Sequence, residues 1–479
     1  MNPPHLDSQS LDESTPLLED HVDLEAAKRK TPLPRALTAL CVARFSDPIS
    51  YSQLFPYINK MLYDLRVTDD MARIGFYSGL VESIFAVSQT LTTYTWARAS
   101  DSVGRRPIIL ICAVGLAIAT LLLGFCTSLA DIIFVRALAG FFAGNVAVYH
   151  AVLAEITDSS NSPRAYSLYA FIWPLGSTIG PLIGGSFSNL GTKFPQLWGY
   201  DFILAHPYFM PNFVCALCVV VGLCLSYFYL EETLPAKRRG SSINMGVTCQ
   251  APRLGALDLL SIPMLRALTM SSFTLAFTAT AFDVVFVLFC YTPIEQGGLS
   301  FSVTEIGNAL SLNGLLLAVF QLFIMPSLLR KYRSSSLYHT CTQCWPLTFA
   351  LMPLLNLVVR RGYDDDNETV ELTTNLTLWI GIVLILSCSR IASAAFTTNM
   401  ILIRDNAPNP SYIGACSGLM QMIMCVSRMF SPAFISSVFA LSVGNNLLWG
   451  YPIWVVVMLG SCCIGCYISH KIKIMDQQA

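Results

Sequence analysis

The sequence predicts an all-α integral membrane fold of twelve transmembrane helices arranged as two six-helix pseudo-repeats. Three observations carry this expectation. Of the 479 residues, 54% are hydrophobic and only 12% charged, against about 25% charged in a typical globular chain. Apolar segments recur twelve times, each near the ~20 residues that cross a hydrocarbon core. Side chains of the first six segments reappear at matching spacing in the last six.

In chain order, residues 1–34 are polar and Pro-containing and read as a disordered cytosolic tail with no apolar run of a signal peptide. Within it, Glu13-Ser-Thr-Pro-Leu17-Leu18 has the acidic-dileucine spacing of a sorting signal, or is a chance match in an unfolded tail. The spans follow at 37–59, 74–96, 107–127, 131–154, 166–190, 208–230, 267–292, 306–329, 337–359, 376–402, 412–440 and 447–469. Residues 35–230 then form an N-terminal bundle and 266–470 a C-terminal bundle, with 471–479 a short cytosolic tail. The cytosolic linker 231–265 contains Lys237-Arg-Arg-Gly-Ser-Ser and ends in an amphipathic piece, Leu254–Leu265.

Lys and Arg set the orientation. With the N-terminus inside, the cytosolic segments carry 19 of them and the outer loops 6, with 4 arginines inside the membrane. Both termini are therefore expected in the cytosol. The outer loop 361–375 is acidic and holds two sequons, of which Asn367 stands far enough from the membrane to be the glycosylation candidate.

The internal repeat rests on four matches in one order. Arg136 to Asn145 in span four matches Arg390 to Asn399 in span ten, both Arg, eight residues, Asn. Ile74-Gly75 to Gln89 in span two matches Ile306-Gly307 to Gln321 in span eight. Gly180-Pro181 in span five matches Ser431-Pro432 in span eleven, and Asp47 in span one corresponds to Asp283 in span seven. Parallel six-helix halves of this kind build carriers that bind cargo near the midplane.

Ionisable side chains inside a bilayer are costly and become functional candidates by default. Here they are Arg44, Asp47, Glu82, Arg136, Asp283, Arg390 and Arg428. Arg44 and Asp47, three apart on one helix, either neutralise each other or serve a site. Arg136 has Asp47 or Glu82 as a partner on neighbouring helices, and the family resemblance given below implies Asp47 as the preferred one. Glu82 and Asp283 have no local basic neighbour, and a carboxylate buried in that way is suited to taking up and releasing a proton. Tyr149, His150, Trp173, Tyr291, Gln321 and Asn399 lie at midspan and are candidates for lining a cargo cavity, against the reading that membrane aromatics pack or sit at interfaces.

In span five, Gly176, Gly180 and Gly184 recur every four residues and share one helix face, with Pro181 beside them. Small residues so spaced admit a neighbouring backbone, and Gly180 and Pro181 are expected to let span five lie against span eight. A net charge of −1 gives no electrostatic case for nucleic acid. The 16 cysteines lie almost wholly in apolar segments. Cys341-Thr-Gln-Cys344 and Cys462-Cys463-Ile-Gly-Cys466 lack companion His or acidic residues, so no metal and no cofactor is expected. There is no P-loop, H-E-x-x-H or G-x-S-x-G, so no enzyme and no direct use of ATP is expected.

Asp101-Ser-Val-Gly104-Arg105-Arg106-Pro107, after span two, resembles the signature cytosolic loop of the major facilitator superfamily, Gly-x-x-x-Asp-Arg-x-Gly-Arg-Arg. Ala97 and Ser102 depart from it, which implies a weaker latch on the outward-facing state. Arg136 with Gly140 and Gly144 resembles the span-four motif linked to proton coupling. Gly176-x-x-x-Gly180-Pro181-x-x-Gly184-Gly185 resembles the span-five motif of twelve-span drug:proton antiporters. Arg44-Phe-Ser-Asp47-Pro-Ile-Ser, Leu54-Phe-Pro-Tyr-Ile, Leu153-Ala-Glu-Ile-Thr157, Pro207-Tyr with Pro211-Asn212, and Glu232-Thr-Leu-Pro are similar to fungal members of the tetracycline-resistance-like and zinc-induced-facilitator-like branch. The resemblance covers about 35–470. It implies a proton-coupled antiporter exporting a small organic compound such as a secondary metabolite, toxin or drug. It implies a monomer whose partners are cargo, protons and lipid, with the plasma membrane preferred and the vacuolar membrane as the alternative. An uptake symporter, or a transporter-like receptor that moves nothing, is the rival reading.

Overall fold

The computed structural model describes residues 35–68, 70–157, 161–234, 256–364, 369–370, 372–408, 413–444 and 452–478. The expected N-terminal tail, most of the linker and Asn367 lie outside the described residues.

Span one is the helix Arg35–Ser52 and span two Met71–Val103, which runs well past the apolar segment at its second end. Span three is Arg105–Leu123. Span four is split into Leu129–Ala143 and Val146–Ile156. Span five is Ser162–Phe187 and span six Phe209–Tyr229. Span seven is Pro263–Tyr291. Span eight runs Val303–Lys331 through a π-helical turn at Phe320–Ile324, and span nine is Ser334–Arg361. Span ten is split into Leu372–Ser393 and Ala395–Asp405, span eleven is Ile413–Gly444 and span twelve Ile453–Gln478. The loop after span nine adds a two-residue antiparallel pair, Tyr363–Asp364 with Thr369–Val370.

Three interruptions have local causes. Pro56 lacks the N–H that would continue span one, so the chain turns and resumes as Ile58–Asp64. The π turn of span eight stands directly before Pro326, whose ring disturbs the preceding carbonyls. The breaks in spans four and ten both fall inside the repeated Arg-to-Asn stretch.

Among the described residues, nine spans are long and apolar enough to cross a membrane by length and composition alone. The other three are spans one, two and five. These carry Arg44 and Asp47, Glu82 and Gln89, and the Gly/Pro stretch, so the polar content that lowers their hydropathy is the content of interest below.

Each half has its own core. The largest cluster of buried apolar side chains belongs to spans seven to twelve, and four smaller clusters lie mainly in spans one to six. The end bearing Arg105 and Arg106 is called the basic end below, and the opposite end the far end. The halves meet near the far end through span five against span eight and span two against span eleven. Small residues set the approach. A Cβ on Gly307 would stand 2.7 Å from the Pro181 carbonyl and 2.9 Å from Gly185 Cα, and one on Gly79 would stand 2.6 Å from the Pro432 carbonyl. Ser83 Oγ accepts from Ala433 N across the same seam at 3.1 Å. Toward the basic end the same helices leave large side chains exposed, Tyr94 of span two at 73% and Phe323 of span eight at 70%, and the space they border is called the gap below.

Candidate functional site

Span one places Arg44 and Asp47 one turn apart, and the structure pairs them directly. The Arg44 guanidinium lies over two rings, Tyr149 at 5.5 Å and Trp173 at 6.0 Å. Tyr149 is buried, while Trp173 is exposed toward the gap that opens to the basic end.

Arg136 meets Glu82, not Asp47: Arg136 Nη2 stands 3.7 Å from Glu82 Oε1, with the two side chains only 3% and 4% exposed. This corrects the preference for Asp47, which its own helix neighbour Arg44 already satisfies. Glu82, for its part, lacks a basic neighbour along the sequence but gains one in space. A charge pair this deeply buried loses hydration that its mutual attraction only partly returns. Arg136 also lies 4.4 Å from the Phe85 ring centre and 6.0 Å from that of Tyr51.

Span two builds this pocket by covering the break in span four. Ser88 Oγ donates to the Ala137 carbonyl at 2.7 Å, Gln89 Nε2 to Ala143 at 3.1 Å and Trp96 Nε1 to Phe141 at 2.7 Å. The last two satisfy carbonyls in the final turn of Leu129–Ala143, which have no partner within that helix. Gly140, packed on Phe85, and Gly144, packed on Thr92, let the two helices close up so that Arg136 reaches Glu82.

Tyr51 is the residue the sequence reading missed. It neighbours Glu82, and its ring touches Phe55 (5.1 Å), Phe85 (5.3 Å) and Trp173 (6.0 Å). It therefore joins the buried ion pair to the aromatic wall of the gap. The available signal was its position four residues after Asp47 on the same helix.

In the second half Arg390 Nη2 stands 3.9 Å from Asp283 Oδ1, but Asp283 is 50% exposed and Arg390 11%. Arg428 is exposed, makes no direct ion pair among the described residues, and acts on Asp283 at longer range. The remaining cavity candidates do not converge. His150 is exposed beside Tyr169 at 5.4 Å. Tyr291 packs into the far-end seam between cores of both halves. Gln321 lies in the π turn of span eight. Asn399 is buried, its Nδ2 donating to Ser272 Oγ at 2.6 Å. Only Tyr149 and Trp173 gather, around Arg44.

The loop after span two forms a closed set of charges within the first half. Asp101 pairs with Arg105 at 2.7 Å, and Arg105 with Glu155 of span four at 3.1 Å. Glu232, just past span six, accepts from Arg105 N at 2.8 Å and Arg106 N at 3.3 Å. Its carboxylate thus covers the N-terminus of span three, where free N–H groups and the helix dipole favour an anion. Gly104 has φ +118°, and a Cβ there would stand 2.5 Å from Glu232 Oε2, so this turn calls for glycine. Glu155 and Glu232 are further contributors that the sequence reading did not single out, although both sit in stretches it quoted.

Span five lies against span eight as expected, and Pro181 is at that contact, but Gly180 and the rest of the glycine stripe face span one. Gly176 packs on Pro48, Gly180 stands with its would-be Cβ 2.9 Å from the Ile49 carbonyl and 3.2 Å from Gln53 N, and Gly184 packs on Gln53. The stripe seats span five on span one. Span eight meets Thr178, Pro181 and Gly185 instead, which at 100° per residue lie on other faces. At the far end of that contact, Lys193 Nζ donates to the Gly185 carbonyl at 2.8 Å and to Thr304 Oγ1 at 2.9 Å, tying the halves together.

Among known proteins, the Major Facilitator Superfamily profile matches residues 40–432. The chain is 36% identical over 98% of its length, and 98% of the relative's, to the major facilitator-type transporter psiT2 of Psilocybe cyanescens. It is 26% identical to the major facilitator superfamily multidrug transporter mfsB of Aspergillus fumigatus, covering 90% of this chain and 82% of that one. In fold it resembles the human organic anion transporter MFSD10, with a TM-score of 0.61 and 18% identity over 92% of this chain and 100% of the other.

Proposed function

This chain belongs to the major facilitator superfamily, and we propose that it is a proton-coupled carrier exporting a small, partly apolar organic molecule from the cytosol. It is a multi-pass membrane transporter and not an enzyme. The basic end is the cytosolic one on the Lys and Arg bias, so the gap described above opens inward. Cargo enters there and stacks on Tyr51 and Trp173, with Asp283 and Arg428 of the second half facing it.

The observation that carries the coupling is the buried Arg136–Glu82 pair with Tyr51 bridging it to the gap. Proton arrival neutralises Glu82 and frees Arg136 from it. Proton departure restores the pair. Cargo held against Tyr51 disturbs the same contact, so cargo and proton compete for one site. Export as the direction is supported by a relative, 26% identical, named as the efflux pump azaK of Aspergillus niger. The plasma membrane is the preferred location, with the vacuolar membrane as the alternative.

Two steps test this. Deleting the gene and comparing retained with secreted metabolites names the cargo. The purified protein in liposomes must then move that cargo uphill when a pH gradient is imposed. Flux that ignores the gradient overturns the coupling, and the absence of any flux returns the reading to a receptor.

A further inference from the structure

A small cavity lies on the far-end side of Glu82, walled by Phe55, Ile58, Asn59 and Ser78 of the first half and by Val284, Val287 and Leu288 of the second. Glu82 is 4% exposed, Ser78 4% and Asn59 1%. Among the described residues neither amide atom of Asn59 has a hydrogen-bond partner, and Glu82 Oε1 has none either, only the longer ion pair to Arg136. Buried polar atoms are nearly always satisfied, and such groups around a cavity call for water. Ser78 stands one helical turn farther out than Glu82, and Asn59 stands on the Ile58–Asp64 helix beyond the break in span one. The three polar side chains thus step from the buried carboxylate toward the far end.

The opposite wall is wholly apolar. Val284, Val287 and Leu288 share one face of span seven, are all buried, and belong to the other half. Phe55 packs on the second half's core beside them.

We propose that this cavity is a water-filled proton vestibule, in which Asn59 and Ser78 hold the water that delivers protons from the far end to Glu82, and Val284, Val287 and Leu288 form its gate. The assignment rests on the coupling reading above and adds to it the route and the gate. A hydronium ion in the vestibule gives its proton to the Glu82 carboxylate and leaves water. With the halves closed at the far end, span seven seals the vestibule. As they part there, the apolar wall withdraws and the vestibule joins outside water. The charged or titratable groups facing Glu82 are Arg136 from span four, Tyr51 from span one and Asp283 from span seven. Tyr51, with its ring against Trp173, stands on the cytosolic side of Glu82. Proton and cargo therefore reach the pair from opposite sides, and the gate prevents a leak.

The test needs no cargo. Protein is reconstituted in phospholipid vesicles containing the pH dye pyranine, with potassium and valinomycin clamping the potential, and the outside is acidified. Val287→Asn, which makes the gate polar, should admit protons several-fold faster than wild type. Leu288→Ser should do the same with a smaller side chain, so that misfolding of one variant leaves the other to decide. Adding Asn59→Leu to either should return entry to the wild-type rate. Entry at the wild-type rate in both gate variants overturns the proposal, as does a leak that survives Asn59→Leu, which would put the route elsewhere. Failure of cargo export to follow a pH gradient is read in a separate assay, so the two readings fall separately.

Discussion

Arg136 and Arg390 hold corresponding places in the two halves, yet their partners come from different helices. In the first half the partner is Glu82 of span two, and the pair is sealed. In the second it is Asp283 of span seven, half exposed to the gap. The sequence register explains the exchange. The residue of span eight in the place of Glu82 is Gly314, which packs on Thr178 at the seam between the halves. Span eight therefore has no carboxylate to offer there, and Arg390 turns to span seven. In span one the counterpart of Asp283 is Asp47, which Arg44 occupies, whereas the residue three before Asp283 is Thr280. A duplicated frame thus carries two kinds of site, one closed and one half open, which the proposed coupling assigns to proton and cargo.

Neutralising the two carboxylates should break the halves apart in behaviour, and this is the largest effect expected. Glu82→Gln should abolish accumulation of cargo against its gradient while exchange of labelled for unlabelled cargo persists. Removing one member of a buried pair costs about 3–5 kcal/mol, so the yield of folded Glu82→Gln should be checked beside its flux. Asp283→Asn should instead raise the apparent KM several-fold and leave the dependence on the pH gradient. Coupling lost with Asp283→Asn and kept with Glu82→Gln would reverse the assignment of the two sites.

Span five offers a second contrast, between its two faces. Gly180 lies against backbone of span one within its own half, where even a Cβ would stand 2.9 Å from the Ile49 carbonyl. Gly185 lies against Gly307 of the other half, with a Cβ 3.0 Å from its Cα. Overpacking costs about 1–3 kcal/mol or more, but the two positions charge it to different states. Gly180→Leu should lower the yield of monodisperse protein, because the first half itself must yield. Gly185→Leu should leave the yield near wild type and shift the population toward an open far end. Size-exclusion profiles together with interdomain distances decide it.

The twelve spans, the two halves and the loop signatures were legible in the sequence because each is written in local pattern: apolar length, repeat spacing, short motifs. The charge partners were not, because pairing depends on how helices turn about their axes. Periodicity shows that Gly176, Gly180 and Gly184 share a face, but span one and span eight are both available to receive it, and only packing chooses. Arg136 had two carboxylates within reach for the same reason. Glu232 was quoted in a motif without a role, since capping a helix 126 residues away in sequence has no local signature. Spans one, two and five are where hydropathy is weakest as a guide and where the charges and helix contacts of interest concentrate.

The smallest expected effect concerns the two ends of the molecule. At the basic end the charges of the Asp101–Arg105–Glu155 set close within one half, while at the far end Lys193 bridges both, from the Gly185 carbonyl to Thr304 Oγ1. Lys193→Met keeps much of the side-chain bulk and removes both donations. A net hydrogen bond contributes about 0.5–1.5 kcal/mol, and Lys193 keeps part of its surface in water, so about 1 kcal/mol is expected in total. That is about a fivefold fall in the ratio of far-end-closed to far-end-open protein. Fluorophores introduced as noncanonical residues at the exposed positions Leu197 and Glu295, one in each half, would read it by single-molecule energy transfer. The sign of its pH dependence also follows. Partial burial holds the Lys193 ammonium below the usual lysine pKa, so the closed form binds its proton less tightly than an open form that returns the side chain to water. Raising pH from the lowered pKa toward the ordinary ~10.4 should therefore favour closure, and Lys193→Met should lose that dependence. An unchanged distance distribution in Lys193→Met would mean that Gly185, Gly307 and their backbone contacts close the far end alone.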